Sequence, residues 1–321
     1  MKKFLAAVLV LCVGISLCVY GTPASAFEAT GTVNLIVSFA PGGAMDIGAR
    51  LFAKYASEYT SANIVISNIS GAGGIIGTAE VLKFGADGSY MLTLNPSLTF
   101  VSTPDRNVPF DITKDFVFCA MMVRDPRLLA IRKDDSRFSN TEEFIEYSRA
   151  NPGVTVGTSG IGTVAHYTPY LISRELDLNL VPVAFDGTGE LRSALLGGHV
   201  DAASLGGSES VSMLANDQII VILNAAAERS TDPLFADVPT VLEYGADVQL
   251  STSRGFAFRA GTDESVIAYW SDIFEKVTSN PAFLAEADAL GLPIYFMDYK
   301  AANEFVAAEM ELFRELIATI N

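Results

Sequence analysis

The sequence predicts an α/β protein built as two wound lobes joined by crossing strands, and three observations predict it. Strand-like and helix-like segments alternate with short connections, the order that gives a parallel sheet wrapped by helices. The alternation runs through two similar series, with no low-complexity linker and no short-period repeat between them. Glycine-rich turns follow strands and open helices in both series. Those turns fall at the C-terminal ends of the strands, where wound sheets hold ligands.

The N-terminus is set aside before the elements are read. Met1, Lys2 and Lys3 precede the apolar run FLAAVLVLCVGISLCVY and then GTPASA. A basic start, a hydrophobic centre and the small residues Ala24, Ser25 and Ala26 are the three parts of a secretory signal peptide. The run is short for a membrane anchor, and no positive flank follows it. Neither Cys12 nor Cys18 is preceded by the small residues of a lipoprotein site. Cleavage after Ala26 would leave 295 residues of formal charge −18, with Cys119 as the lone cysteine. That excludes an internal disulfide, and an exported, disulfide-free chain fits a bacterial periplasm. A mature chain of this size suggests two domains. The acidic balance argues against nucleic acid, which needs clustered Lys and Arg. It also leaves only local groups to attract an anion.

From there the elements follow in order. TVNLIVSF (32–39) reads as a strand, and MDIGARLFAKYASEY (45–59) as a helix with a stripe at Ile47, Leu51, Tyr55 and Tyr59. NIVISN is the second strand, GGIIGTAEVLKF the second helix, and DGSYMLTLN (87–95) a turn and a third strand. PRLLAIRKD (126–134) is another strand. NTEEFIEYSRANPG (140–153) starts with Asn140 or Thr141 as its cap and stops at Asn-Pro-Gly. The second series runs VTVGTSG, TVAHYTPYLISREL, LNLVPVAF, GELRSALLGG and VDAASLG, followed by the apolar strand IIVILNAA (219–226). The last stretch holds PTVLEYG, a strand RGFAFRA, and three helical segments, the final one amphipathic.

Three loops share one design: Pro41-Gly42-Gly43, Ser70 to Gly74, and Ser159 to Thr163. A helix N-terminus has N–H groups without internal partners and a partial positive charge. Glycine removes the side chain that would block a ligand's approach, so each loop can present donors to an oxyanion. A carboxylate offers about four acceptor sites, so two loops can saturate one. Any single loop could be no more than a tight turn; two in one lobe and one in the other point to binding. On this reading backbone dipoles replace cationic side chains. Asp46, at the start of the first helix, is either a helix-terminal acid or a partner for a ligand hydroxyl or amino group. Asp186, in VAFDGTGE, has the same two readings.

Other chemistries fit less well. From Gly71, the dinucleotide pattern G-x-G-x-x-G meets Ile76 where its last glycine belongs. GTSGI (157–161) misses the nucleophile pattern G-x-S-x-G at Ile161. His199 sits in a turn-like stretch, and His166 either faces the cleft or covers its helix. No His, Cys and carboxylate cluster suggests a metal.

These residues carry a resemblance. VSFAPGGAMDIGARLFA and VISNISGAGGIIGTAEVLKFGADGSYMLTLNP resemble the tripartite tricarboxylate transporter substrate-binding proteins, the Bug receptors. The likeness continues through NPGVTVGTSGIGTVAHYTPYLI, LVPVAFDGTGELRSALLGGHVDAAS and ADVPTVLEYGADV to RGFAFRAGTDESVI. It implies a type II periplasmic binding protein, a Venus flytrap that closes on a small carboxylate. The acid is then handed to a large and a small membrane subunit for cation-driven uptake. It implies a non-enzymatic monomer without cofactor. Ala40, Gly42, Gly43 and Asp46 fall on the first ligand loop, Gly73 and Gly74 on the second, and Asn95 on the third. Ser159, Gly160, Thr163 and His166 fall on the second-lobe loop, with Asp186 and Ser204 on further cleft edges. AFDGTGE departs from the family's frequent aromatic-Lys-Gly-Gly stretch. An acid there could refuse further carboxylates or accept from a hydroxyl or amino group, so tricarboxylate, dicarboxylate, aromatic acid and amino acid all stay open. The expected division is residues 27–125 plus 223–321 for one lobe and 126–222 for the other. A sensory receptor and a carboxylate-ester hydrolase on the same scaffold remain alternatives; the hydrolase would need a Ser–His contact.

Overall fold

The computed structural model describes residues 27–96 and 108–320, so the signal-peptide expectation for residues 1–26 lies outside it. In lobe 1 the strands are β1 (Thr32–Val37), β2 (Asn63–Asn68), β3 (Tyr90–Leu94) and β4 (Phe116–Pro126). Lobe 2 takes β5 (Leu128–Arg132), β6 (Val154–Ser159), β7 (Leu180–Phe185), β8 (Ala202–Leu205) and β9 (Ile219–Asn224). The chain then returns to lobe 1 as β10 (Ser251–Arg259) and β11 (Ile294–Met297).

The helices run α1 (Ala44–Ala56), α2 (Ile75–Val81), α3 (Ile112–Asp115), α4 (Thr141–Ala150) and α5 (Val164–Leu176). They continue as α6 (Thr188–Leu196), α7 (Gly207–Ala215), α8 (Glu264–Thr278), α9 (Pro281–Ala289) and α10 (Tyr299–Ile320). Local chemistry sets several starts. Asn140 accepts the Glu143 N–H at 2.9 Å and caps α4, as its sequence implies. Thr163 caps α5 and Asp263 caps α8 in the same way.

Lobe 1 is a six-stranded sheet in the order β11-β4-β10-β3-β1-β2, and lobe 2 a five-stranded sheet in the order β7-β6-β8-β5-β9. The wound parts, β2-β1-β3 and β7-β6-β8, are parallel. The crossing strands β4 and β10 pair antiparallel to each other, as do β5 and β9. Two apolar layers sandwich each sheet; Phe52, Phe256 and Phe274 pack together on one face of lobe 1.

β4, α7 and β11 were absent from the sequence expectation. β4 reads FVFCAMMVRDP, with every residue from Phe118 to Val123 buried. A strand covered on both faces has no alternation to recognise. The expected lobe division at residue 222/223 falls inside β9. Residues 225–250 follow β9, and Val241, Ala246, Val248 and Leu250 pack into the lobe 2 core. Only Arg127 separates β4 from β5. Its N–H donates to the Leu250 carbonyl at 2.9 Å, and its own carbonyl accepts from the Ala225 N–H at 2.8 Å. The two chain crossings are thus tied together at one residue. Among the described residues no helix is long and apolar enough to cross a membrane.

Candidate ligand-binding cleft

The strand-end loops of the two lobes face each other, and a cavity of about 50 Å³ lies between them. Four helix N-termini converge on it. Gly43, Ala44 and Met45 come from the start of α1, and Thr163 and Ala165 from α5. Gly187 and Thr188 begin α6, and Glu209 lies in the first turn of α7. First-turn amides have no carbonyl partner within their own helix, so this geometry concentrates donors and positive dipole ends at one point. Ala40, Asn95 and Ser159 complete that wall.

The lobes touch at the rim. A Cβ built on Gly73 would lie 2.6 Å from the Ile161 carbonyl oxygen, and one on Gly187 would lie 3.2 Å from the Ala40 Cβ. One on Gly160 would lie 3.3 Å from the Gly73 Cα. Glycines at these places let the two lobes close backbone to backbone.

The expected site residues divide by position. Ala40, Gly43, Asn95, Ser159 and Thr163 line the cavity. Gly73, Gly74 and Gly160 are buried beside it at the lobe contact, and the Gly160 N–H is already given to the Phe185 carbonyl at 2.8 Å. Gly42 is exposed, and its N–H donates to Asp46 Oδ2 at 2.9 Å. Asp46 is buried and accepts from Arg50 Nε and from Asn68 Nδ2, both at 2.9 Å. Burial pushes its carboxyl up, but the Arg50, Gly42 and Asn68 donors outweigh that and hold it below the usual carboxylate range. Asp46 therefore fastens the α1 loop to Asn68 at the end of β2, and it does not line the cavity. Asp186 is exposed and outside the lining; its neighbours Gly187 and Thr188 take that wall. His166 Nδ1 lies 3.1 Å from Thr158 Oγ1, also off the lining. Ser204 is fully buried within β8, where its carbonyl accepts from Arg127 Nη2 at 2.6 Å.

The expectation that main-chain amides meet the ligand without basic side chains is corrected here. Arg127 and Arg254 both line the cavity, with exposures of 2 % and 5 %. Each is paired: Arg127 Nη1 lies 3.3 Å from Glu209 Oε2, and Arg254 Nη1 lies 3.0 Å from Asp125 Oδ2. The α7 start holds both acids. The Gly206 N–H donates to Glu209 Oε2 at 2.7 Å, and the Gly207 N–H to Asp125 Oδ1 at 2.9 Å. Thr188 Oγ1 donates to Glu209 Oε1 at 2.7 Å. Burial pushes the Glu209 carboxyl up, and the charges of Arg127 and Arg254 pull it below its ordinary value, so it stays ionised. The sequence held one unused signal for this cluster. Gly206-Gly207 stands between a strand and a helix, the same signature as the three loops already noted.

A larger cavity, about 350 Å³, lies where residues 224–235 meet 288–293. Asp125, Glu228, Asp232 and Asp288 line it with Arg229, whose charge is taken by Glu243, a balance that repels an anion. The described residues contain no group of His, Cys, Asp and Glu that could hold a metal.

With this geometry, relatives can be compared. The family model for the tripartite tricarboxylate transporter family receptor, TctC, matches residues 48–321. The chain belongs to that family. Among TctC relatives, BugT of Bordetella pertussis is 26% identical over 285 residues, covering 87% of this chain and 86% of BugT. The solved periplasmic binding protein BugD superposes with a TM-score of 0.84 at 23% identity, over 91% of this chain and 98% of BugD, a likeness of fold. MatC of Rhodopseudomonas palustris, solved with bound malate, superposes with a TM-score of 0.80 at 25% identity. That match covers 89% of this chain and 99% of MatC. The two-lobed fold expected from the resemblance is thus the fold of this TctC protein.

Proposed function

We propose that the protein is a non-enzymatic periplasmic receptor that captures a small organic acid between its lobes and delivers it to the membrane subunits of a tripartite transporter. One observation carries the reading: four helix N-termini and two arginines converge on a single cavity between lobes of a chain whose formal charge is −16. The helix N-termini supply local positive potential where the global charge opposes an anion, and the two arginines add hydrogen-bond donors whose charge Glu209 and Asp125 balance. The ligand's carboxylate is assigned to the α1 start, where Gly43, Ala44 and Met45 line the wall. The malate bound by MatC supports a carboxylate as the ligand class.

Closure removes water from the contacts and strengthens them. A hydrogen bond to a charged group contributes about 1.5–3 kcal/mol, and a micromolar Kd needs roughly 8 kcal/mol. A few amide bonds, less the ordering cost, reach that range. A thermal-shift screen of organic acids tests the reading. A true ligand at a hundred times its Kd adds about 2.7 kcal/mol and raises Tm by several degrees. A screen in which no acid moves Tm would remove the proposal. Uptake of the labelled acid by cells with and without the gene separates delivery from sensing: unchanged uptake contradicts delivery.

A further inference from the structure

The floor of the cleft holds more charge than an acid-binding loop requires. Arg127 and Arg254 supply two positive charges, and Glu209 and Asp125 balance them. Arg127, Glu209 and Arg254 face the cavity and are nearly fully buried. The cluster is therefore electroneutral, and it sits at the junction between the lobes. Two of its groups have unused capacity. Arg127 Nε is buried with no hydrogen-bond partner. Glu209 accepts from Thr188, Gly206 and Arg127, and a carboxylate has about four acceptor sites, which leaves one.

We propose that Arg127 and Glu209 select the far end of the ligand, and that this end is a neutral hydroxyl or carboxamide rather than a second carboxylate. The inference rests on the receptor reading above, with the ligand's acid end at α1. A hydroxyl or carboxamide can accept from a guanidinium N–H and donate to a carboxylate, and so matches a donor and an acceptor set side by side. A second carboxylate would carry an unbalanced negative charge into a site already neutral. The attraction of two arginines is offset by two acids, and the desolvation of the incoming charge has nothing to offset it. The overall acidity of the chain adds to that bias.

Calorimetric titration of the purified chain decides the point with acids matched in length. Succinate is compared with 4-hydroxybutyrate and succinamate, and glutarate with 5-hydroxypentanoate and glutaramate. The expected result is at least tenfold tighter binding of a neutral-ended acid than of its dicarboxylate. Glu209→Gln keeps an acceptor for the Gly206 N–H, and its amide N–H can donate to the Thr188 hydroxyl oxygen, but it leaves Arg127 unbalanced, so it should narrow or reverse that ratio. Tighter binding of the dicarboxylates by the native chain would overturn the inference and leave the receptor reading standing. A folded Glu209→Gln variant with an unchanged ratio would overturn it too. If neither series binds while the organic-acid screen finds another ligand with two carboxylates, this inference falls and the receptor reading stands; if no acid binds in either experiment, both fall. The native ratio decides the matter even where the variant does not fold.

Discussion

Gly73→Ala tests whether the lobes must close backbone to backbone for the ligand to be held. The added Cβ would lie 2.6 Å from the Ile161 carbonyl oxygen of the other lobe, against about 3.4 Å for an ordinary contact. The rim must then part by roughly 0.8 Å at that point. Overpacking of this kind costs about 1–3 kcal/mol, which is roughly a 5- to 150-fold weakening of Kd because it acts only on the closed form. Gly73 also has φ +68°, and a left-handed backbone costs alanine about 1–2 kcal/mol whether the lobes are open or closed. Gly153→Ala isolates that second effect, since Gly153 has φ +93° and nothing within 4 Å of an added Cβ. Calorimetry with the acid found by screening, together with thermal unfolding, reads both. Both variants should lower Tm by similar amounts, and only Gly73→Ala should weaken binding. Equal Kd values for the two variants would refute the closure argument.

Three further outcomes are expected. Arg127→Met should cost about 3–5 kcal/mol of stability by leaving Glu209 buried and unpaired, and adding Glu209→Gln should recover part of it; urea unfolding of the single and double variants measures this. Asp46→Asn should leave the order of ligand preference intact, because Asp46 serves Gly42, Arg50 and Asn68. Its carboxyl is depressed in the fold, so the stability it adds is present above the ordinary value of 3.8 and is lost as pH falls below it. The gap between native and Asp46→Asn unfolding curves should therefore shrink in acid. Glu309 runs the other way: burial pushes its carboxyl up to about 7, with one hydrogen bond to Ser253 resisting. Its contribution is full below 4.5 and lost as pH rises through about 7. Glu309→Gln should stabilise the protein by up to about 3 kcal/mol at pH 8 and leave it unchanged at pH 4, as unfolding at the two pH values will show.

The elements legible in the sequence were those with local signals. NIVISN matches β2 residue for residue, and the Asn140 cap starts α4 where expected. The crossing strand β4 was not legible, because burial on both faces erases its period. The site was legible in part for the same kind of reason. A strand, a glycine turn and a helix start are neighbours in sequence, so Gly43, Ser159 and Thr163 could be placed at a cleft wall. Nothing local separates Gly42, whose amide is taken by Asp46, from Gly43, which lines the cavity. Asp186 and Thr188 are two residues apart, yet one is exposed and the other turned inward.

The sequence by itself determined the α/β alternation, the position of the glycine turns at strand ends, and the family. These depend on residue spacing within a few turns of chain. The tertiary structure alone decided which charges meet. Arg127 and Glu209 stand 82 residues apart, and Asp125 and Arg254 stand 129 apart. Charges so distant in the chain interact only after folding brings them into one desolvated junction, where Coulomb forces act at short range and water no longer screens them.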